Sequence, residues 1–260
     1  MVLDSRNAKW FLSRQFFINM IMKHITEWAE LSANLQSQFL LDGEIQLEKW
    51  LIDGANVAIN EKLYTDQTID LYLQSIANRE NGSYGRTDHY LYELLDRHDI
   101  SKKSCAIMGS VSPWYEAIAL HYGAKPTTFE YNTFVPKSSR LKINDITKKT
   151  SKQFDIGFSI STFEHDGLGR YGDPINPNGD KKAMSDMKKL LKPGGLLFIA
   201  VPIGMDKIVW NAHRIYGKIR LPLLFRNWNI IDSAGYEEER CEINTGKSGT
   251  YQPVFVLQNT

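Results

Sequence analysis

The chain has 260 residues, 42% hydrophobic and 12% aromatic, which suits one large domain, or a domain with a helical addition, and excludes general disorder. Lysine and arginine total 31 against 30 acids, and the pairs Lys102-Lys103, Lys148-Lys149, Lys181-Lys182 and Lys188-Lys189 are interleaved with acids, which argues against a nucleic-acid track. Cys105 and Cys241 lack metal-ligand spacing, and no apolar run reaches the roughly 20 residues of a bilayer span. A reducing, cytoplasmic setting is expected, with no membrane span and no metal.

Residues 1–87 read as a mainly helical region. Phe11, Phe16, Phe17, Met20, Ile21, Ile25 and Trp28 recur at helical spacing, as a stripe packed on its own domain or one facing a membrane surface or partner helix. Further helices are expected over Glu48–Asn60 and Asp66–Ala77. Asn81–Gly85 breaks the pattern, and Asp88 is placed to cap a helix over Tyr90–Arg97. Residues 88–260 then read as an α/β domain. Strands are expected at Cys105–Gly109, Thr127–Tyr131, Arg140–Ile143, Phe154–Ile160, Leu196–Val201, Trp228–Asp232 and Pro253–Leu257. Ser112-Pro113 should start a helix over Trp114–Tyr122 through a serine cap, and Ala183, Met187, Leu190 and Leu191 mark another. This alternation predicts a parallel sheet covered on both faces, with ligands beyond the carboxyl ends of the strands.

Chemistry-bearing residues fall at those ends. Glu130 closes the second strand about twenty residues after Gly109, where a carboxylate accepts from ribose hydroxyls; the alternative is an exposed loop glutamate. Glu164, His165 and Asp166 follow the fourth strand. His165 suits a base taking a hydroxyl proton near neutral pH, with Glu164 its nearest competitor; the alternative is a polar loop whose acids cap local backbone. Arg170, Tyr171 and Asp173 lie in the glycine-rich loop Gly167–Gly179, and Asn211, His213 and Arg214 form a second polar cluster. Both are expected at the mouth of one pocket, binding substrate or bracing each other, with His213 a second candidate base. Trp210 adjoins them as a candidate substrate platform.

The stretch Leu190-Leu191-Lys192-Pro193-Gly194-Gly195-Leu196-Leu197, the strand Phe154-Asp155-Ile156 followed by Ser161-Thr162-Phe163-Glu164-His165, and the final Tyr251–Gln258 together resemble the class I S-adenosylmethionine (SAM)-dependent methyltransferases. The last would be the strand that inserts antiparallel. Glu164–Pro174 and Asn211–Gly217 are similar to signatures of the DUF268 family, which is methyltransferase-like. The resemblance implies a Rossmann-like methyltransferase sheet with SAM held by Gly109, Ser110, Glu130, Asp145 and Ser161. Asp145 would take the adenine amino group, though a helix cap fits it nearly as well. One departure stands out. The family's Gly-x-Gly-x-Gly loop is here Gly109-Ser110-Val111-Ser112-Pro113, and Ile107 replaces the usual acid. The helix start at Ser112-Pro113 could still face the cofactor carboxylate. The implied activity is SAM-dependent O-methylation of a small or sugar-like acceptor, with surface-glycan modification as one setting. The alternatives are a non-catalytic methyltransferase-like binding module and a nucleotide-sugar enzyme that does not use SAM.

Overall fold

The computed structural model describes residues 26–52, 60–130, 133–148 and 150–260. The apolar stripe from Phe11 to Ile25 lies outside them; its last member, Trp28, is buried. Seven strands form the main sheet: β2 (Ser104–Met108), β3 (Lys125–Glu130), β4 (Ile143–Asp145), β5 (Phe154–Ile160), β6 (Leu191–Ala200), β9 (Trp228–Ala234) and β10 (Val254–Asn259). Their spatial order is β4-β3-β2-β5-β6-β10-β9. The first five are parallel, while β10 runs antiparallel between β6 and β9. This is the class I methyltransferase sheet that the sequence motifs suggested.

Strand periodicity explains why the sheet is covered on both faces. Phe198 and Ala200 enter one core with Leu91, Ile118, Ile156 and Phe158. The alternate residues Leu197, Ile199 and Val201 enter the other, with Met184, Met187 and Leu257, because successive side chains leave a strand on opposite faces. Tyr64, Ile69 and Ile76 join the first core, and the helix Asp66–Ala77, found as expected, packs against the helix Trp114–His121 on that side. The Pro-Gly-Gly turn is a bulge at the start of β6. Gly194 takes φ +76°, and the pairing jumps from Phe154–Leu191 to Ile156–Leu196.

Several expectations are corrected. Glu48–Asn60 does not begin as a helix: Gln46–Trp50 is a strand, β1, which with β7 (Lys207–Asn211) and β8 (His213–Ile215) makes a second, three-stranded sheet. β1 pairs parallel to β7 from Gln46–Lys207 to Trp50–Asn211, and a long-range backbone ladder of this kind overrides a local helical pattern. Residues 53–59 lie outside the described part. Asp88 does not cap a helix; the helix starts at Arg86, and the buried Asp88 carboxylate accepts from the Gly82 amide (2.7 Å) and the Tyr115 hydroxyl (3.0 Å). Ser112 makes no side-chain cap at the helix Trp114–His121. Trp210 is no platform: it is 2% exposed, sits edge-on to Trp28 and Phe39, and donates its indole N–H to the Thr26 carbonyl (3.0 Å).

Candidate active site

The carboxyl ends of β2, β3, β4 and β5 meet at one edge. Gly109 follows β2 at φ +65°, and a Cβ there would lie 3.0 Å from Thr162 Cγ2, so the two strand ends approach as closely as a glycine permits. Thr162 donates its hydroxyl to the Met108 carbonyl (2.9 Å) and locks that approach. Glu130 and Asp145 are paired in register at the ends of β3 and β4. Glu130 Oε1 accepts the Ser110 amide (2.6 Å). Asp145 Oδ1 accepts from the Thr147 hydroxyl (2.6 Å) and amide (2.9 Å), and these bonds, the hydroxyl's first and then the amide's, hold the carboxylate below its usual range.

Beyond β5, Ser161 takes φ +52° and donates to Glu164 Oε1 (2.6 Å). The Gln252 amide donates to the Ser161 hydroxyl (3.1 Å) and to the Gly249 carbonyl (2.8 Å), and Tyr84 stands near Ser161. Glu164 is 1% exposed. Burial pushes its carboxyl up to about 7, against the lowering hydrogen bond from Ser161. His165 behaves in the opposite way from a ready base. Burial, then the Arg170 guanidinium, holds its imidazole down at about 3. Its Nδ1 lies 2.6 Å from the Ala212 carbonyl. A carbonyl only accepts, so Nδ1 carries the proton and Nε2, 3.6 Å from Glu164 Oε1, is the bare acceptor. His213 is similar: burial, then Arg170, lowers it to about 4, and its Nε2 is buried without a partner.

The glycine-rich loop and the β7–β8 hairpin do meet. Arg170 Nη1 donates to the Ala212 carbonyl (3.0 Å), and the His165 and His213 rings lie 6.3 Å apart, with Tyr171 edge-on to His165 at 5.5 Å. Other members of the two clusters face inward. Arg214 is fully buried, donating to the carbonyls of Glu164 (3.2 Å), Asp166 (2.6 Å) and Asn176 (3.3 Å). The Asp173 carboxylate accepts the Gly167 (2.7 Å), Gly169 (3.2 Å) and Tyr171 (3.3 Å) amides and shapes the loop. Asn211 Oδ1 accepts the Ile52 amide (2.8 Å). Asp166 is pushed up to about 8 by burial, then by the Asp173 charge.

These contacts line His213, Gly249, Gln252, Ser161, Glu164, His165, Arg170 and Ala212 around one ring of residues. Gly249 stands close to His213, since a Cβ built on it would lie 3.1 Å from His213 Nε2. Glu164 Oε2, His213 Nε2, Gln252 Oε1 and Arg170 Nε, all buried, have no hydrogen-bond partner. Gln252, Tyr84, Glu116 and Thr162 escaped the sequence reading. Gln252 merely precedes a hydrophobic strand, and Tyr84 sits in a glycine-broken turn, so neither carries a local signal. Among the described residues, no group of three His, Cys, Asp or Glu could hold a metal ion, and no helix is long and apolar enough to cross a membrane. Two grooves lie away from the strand ends of the main sheet: one of about 360 Å³ is lined by Asp206, Lys218 and Glu242, another of about 200 Å³ by Trp28, Lys49 and Trp210.

No curated protein matches the sequence. Among solved structures, the chain is similar to Burkholderia thailandensis 1,6-didemethyltoxoflavin-N1-methyltransferase with bound 1,6-didemethyltoxoflavin and S-adenosylhomocysteine, at 13% identity and TM-score 0.51, over 81% of this chain and 92% of that one. It is also similar to the N-methyltransferase NodS from Bradyrhizobium japonicum WM9 with S-adenosylhomocysteine, at 15% identity and TM-score 0.46, over 74% and 97%. Residues 102–260 match the profile described as Caenorhabditis protein of unknown function, DUF268. With the sheet order, the β5 loop and the β7–β8 hairpin all inside that span, the chain belongs to the DUF268 family.

Proposed function

We propose that this chain is a SAM-dependent methyltransferase that methylates an oxygen of a small, hydroxylated, sugar-like acceptor. The observation that carries the reading is the buried Glu164 carboxyl at the end of β5, raised to about 7 and with one oxygen unpartnered. A buried acceptor without a donor is costly unless a ligand or water supplies one. A hydroxyl both donates and accepts, and so answers Glu164 Oε2, His213 Nε2 and Gln252 Oε1 on one side and Arg170 Nε on the other.

The strand ends fit the cofactor. Gly109 gives close backbone access, Ser110 lies beside it, and Glu130 and Asp145 stand side by side where ribose and adenine would be read. Ser161 joins this edge to the acceptor ring. When bound, SAM supplies an electrophilic methyl group on its sulfonium. Glu164, rather than His165, takes the acceptor proton, because its raised basicity is matched to cellular pH while the imidazole is held neutral. His165 Nε2, a neutral nitrogen 3.6 Å from Glu164 Oε1, adds no positive charge beside that base. Arg170 and Tyr171 line the mouth, and His213 reads an acceptor hydroxyl. Arg214, Asp173 and Asn211 brace the loops, and Asp166 stays a neutral acid beside them.

A second reading, the non-catalytic binding module, draws on one observation: Glu130 already accepts the Ser110 amide. Titration calorimetry with SAM and S-adenosylhomocysteine separates the two. Wild-type protein should bind both. Glu130→Ala should weaken the affinity by about tenfold or more, as expected when a charge-assisted hydrogen bond worth roughly 1.5–3 kcal/mol is lost. Unchanged affinity would remove Glu130 from the site, and absence of binding by the wild type would leave the module reading.

A further inference from the structure

Glu116 is 1% exposed and lies in the first turn of the helix Trp114–His121, next to the glycine-poor loop Gly109–Pro113. Its Oε1 accepts the Thr128 hydroxyl (2.6 Å), and its Oε2 lies 2.9 Å from Ser110 Oγ. Ser110 Oγ is also 2.7 Å from the Ser112 carbonyl. That carbonyl can only accept, and the serine hydroxyl owns a single hydrogen. If the Ser110 proton goes to Ser112, only a proton on Glu116 Oε2 can make the remaining contact. If Glu116 is ionised, it competes for the one hydrogen, and the Ser112 carbonyl, which also accepts the Trp114 amide (2.7 Å), is left facing the Ser110 oxygen with no hydrogen between them. Each of the two Ser110 Oγ contacts therefore has a hydrogen of its own only when Glu116 is a neutral acid.

The surroundings agree. Tyr64, Cys105 on β2 and Glu130 on β3 are among the groups felt at Glu116, and none of these three is a cation. Tyr64 donates to the Ser110 carbonyl (2.9 Å). Burial raises Glu116 to about 7, against the lowering hydrogen bonds from Thr128, its own backbone amide and Ser110.

We propose that Glu116, as a neutral acid, is the positioning residue that holds the Gly109–Pro113 loop in its cofactor-binding shape, and that its ionisation loosens the loop and weakens cofactor binding. It does from below what the missing glycines would otherwise allow. The proposal rests on the reading of this edge as a SAM site. Its protonation half stands without any ligand.

The experiment compares wild type, Glu116→Gln and Thr128→Val. Glutamine reproduces the neutral acid, donating to Ser110 and accepting from Thr128. A group whose folded pKa is raised contributes stability that is present below its unfolded pKa and is lost as pH rises through the folded value. The stability of Glu116→Gln relative to wild type, from denaturant unfolding without ligand, should therefore rise between about pH 5 and pH 7 and then level off. Glu164 and Asp166 titrate in all three proteins and cancel in the difference. A flat difference overturns the proposal. Calorimetry with S-adenosylhomocysteine should show wild-type affinity falling about tenfold from pH 6 to pH 8.5, the effect of one pKa unit of linkage. Glu116→Gln should change less than twofold, and an equal pH dependence in both overturns the loop coupling. Thr128→Val removes a donor that favours the carboxylate, so the midpoint of its affinity profile should move upward. Should Glu116→Gln not fold, that shift decides, and no shift overturns the proposal. If no variant binds S-adenosylhomocysteine, the SAM reading fails and with it the loop coupling, whereas the unfolding curves still judge the proton on Glu116.

Discussion

Glu164→Gln should lower turnover by about a hundredfold to ten-thousandfold, the usual contribution of a positioned general base, while leaving S-adenosylhomocysteine affinity within about twofold of wild type. Glutamine keeps the volume and can still accept the Ser161 hydroxyl, so packing around the end of β5 is preserved. Turnover is read as S-adenosylhomocysteine release with simple hexoses, hexosamines and their nucleotide conjugates as acceptors. In the wild type, kcat should rise with pH through about 7 as Glu164 gives up its proton. His165→Ala is the discriminating companion. A base held down at about 3 has little driving force to take a hydroxyl proton, so its loss should cost less than that of Glu164. If His165→Ala abolishes turnover and Glu164→Gln does not, the roles are reversed. Folding stability responds in the other sense. Glu164 is raised from an ordinary value of 4.5, so its favourable contribution is complete in acid and declines as pH climbs towards 7.

Asp180→Ala should cost about 3–5 kcal/mol of unfolding free energy, the price of leaving buried charge uncompensated. Asp180 has no exposed surface. Its carboxylate is bidentate on Arg220 Nη2 (2.9 and 3.0 Å), accepts the Tyr216 hydroxyl (3.1 Å), and lies 3.7 Å from Arg214 Nε. Burial alone would raise this acid, but Arg214 and Arg220 outweigh it and leave it below its ordinary value. Its contribution is therefore present above the unfolded pKa and lost as pH falls through the folded one, opposite in sign to Glu164. Removing Asp180 strands Arg214, which ties β8 to the carbonyls of Glu164 and Asp166. Urea unfolding of Asp180→Ala and Asp180→Asn measures the loss, and a change below about 0.5 kcal/mol, typical of surface positions, would show that the network is not what holds the hairpin to the loop.

Most strands of the main sheet were legible because they are short and bounded by turn residues; the third, expected at Arg140–Ile143, instead lies at Ile143–Asp145, a polar stretch without an apolar run of its own. Phe154–Ile160 is found with its expected ends, and the antiparallel last strand was readable from Tyr251–Gln258. The polar residues at the strand ends were legible for the same reason: the direction of a parallel strand decides which end carries its loop. What the chain could not display locally was the second sheet. Gln46–Trp50 has no strand pattern of its own, and it becomes one only because β7, some 160 residues away in sequence, offers a ladder. That hairpin in turn decides the chemistry, since the Ala212 carbonyl sets the tautomer of His165. A residue's identity states its ordinary pKa, but burial and neighbours set the value that operates. Glu164 and His165 are adjacent in the chain and exchange their apparent suitability as bases for that reason. Glu116 is the same lesson in a single side chain. As a letter it is one more helix glutamate, and only the three-dimensional contacts of Ser110 point to a proton on it.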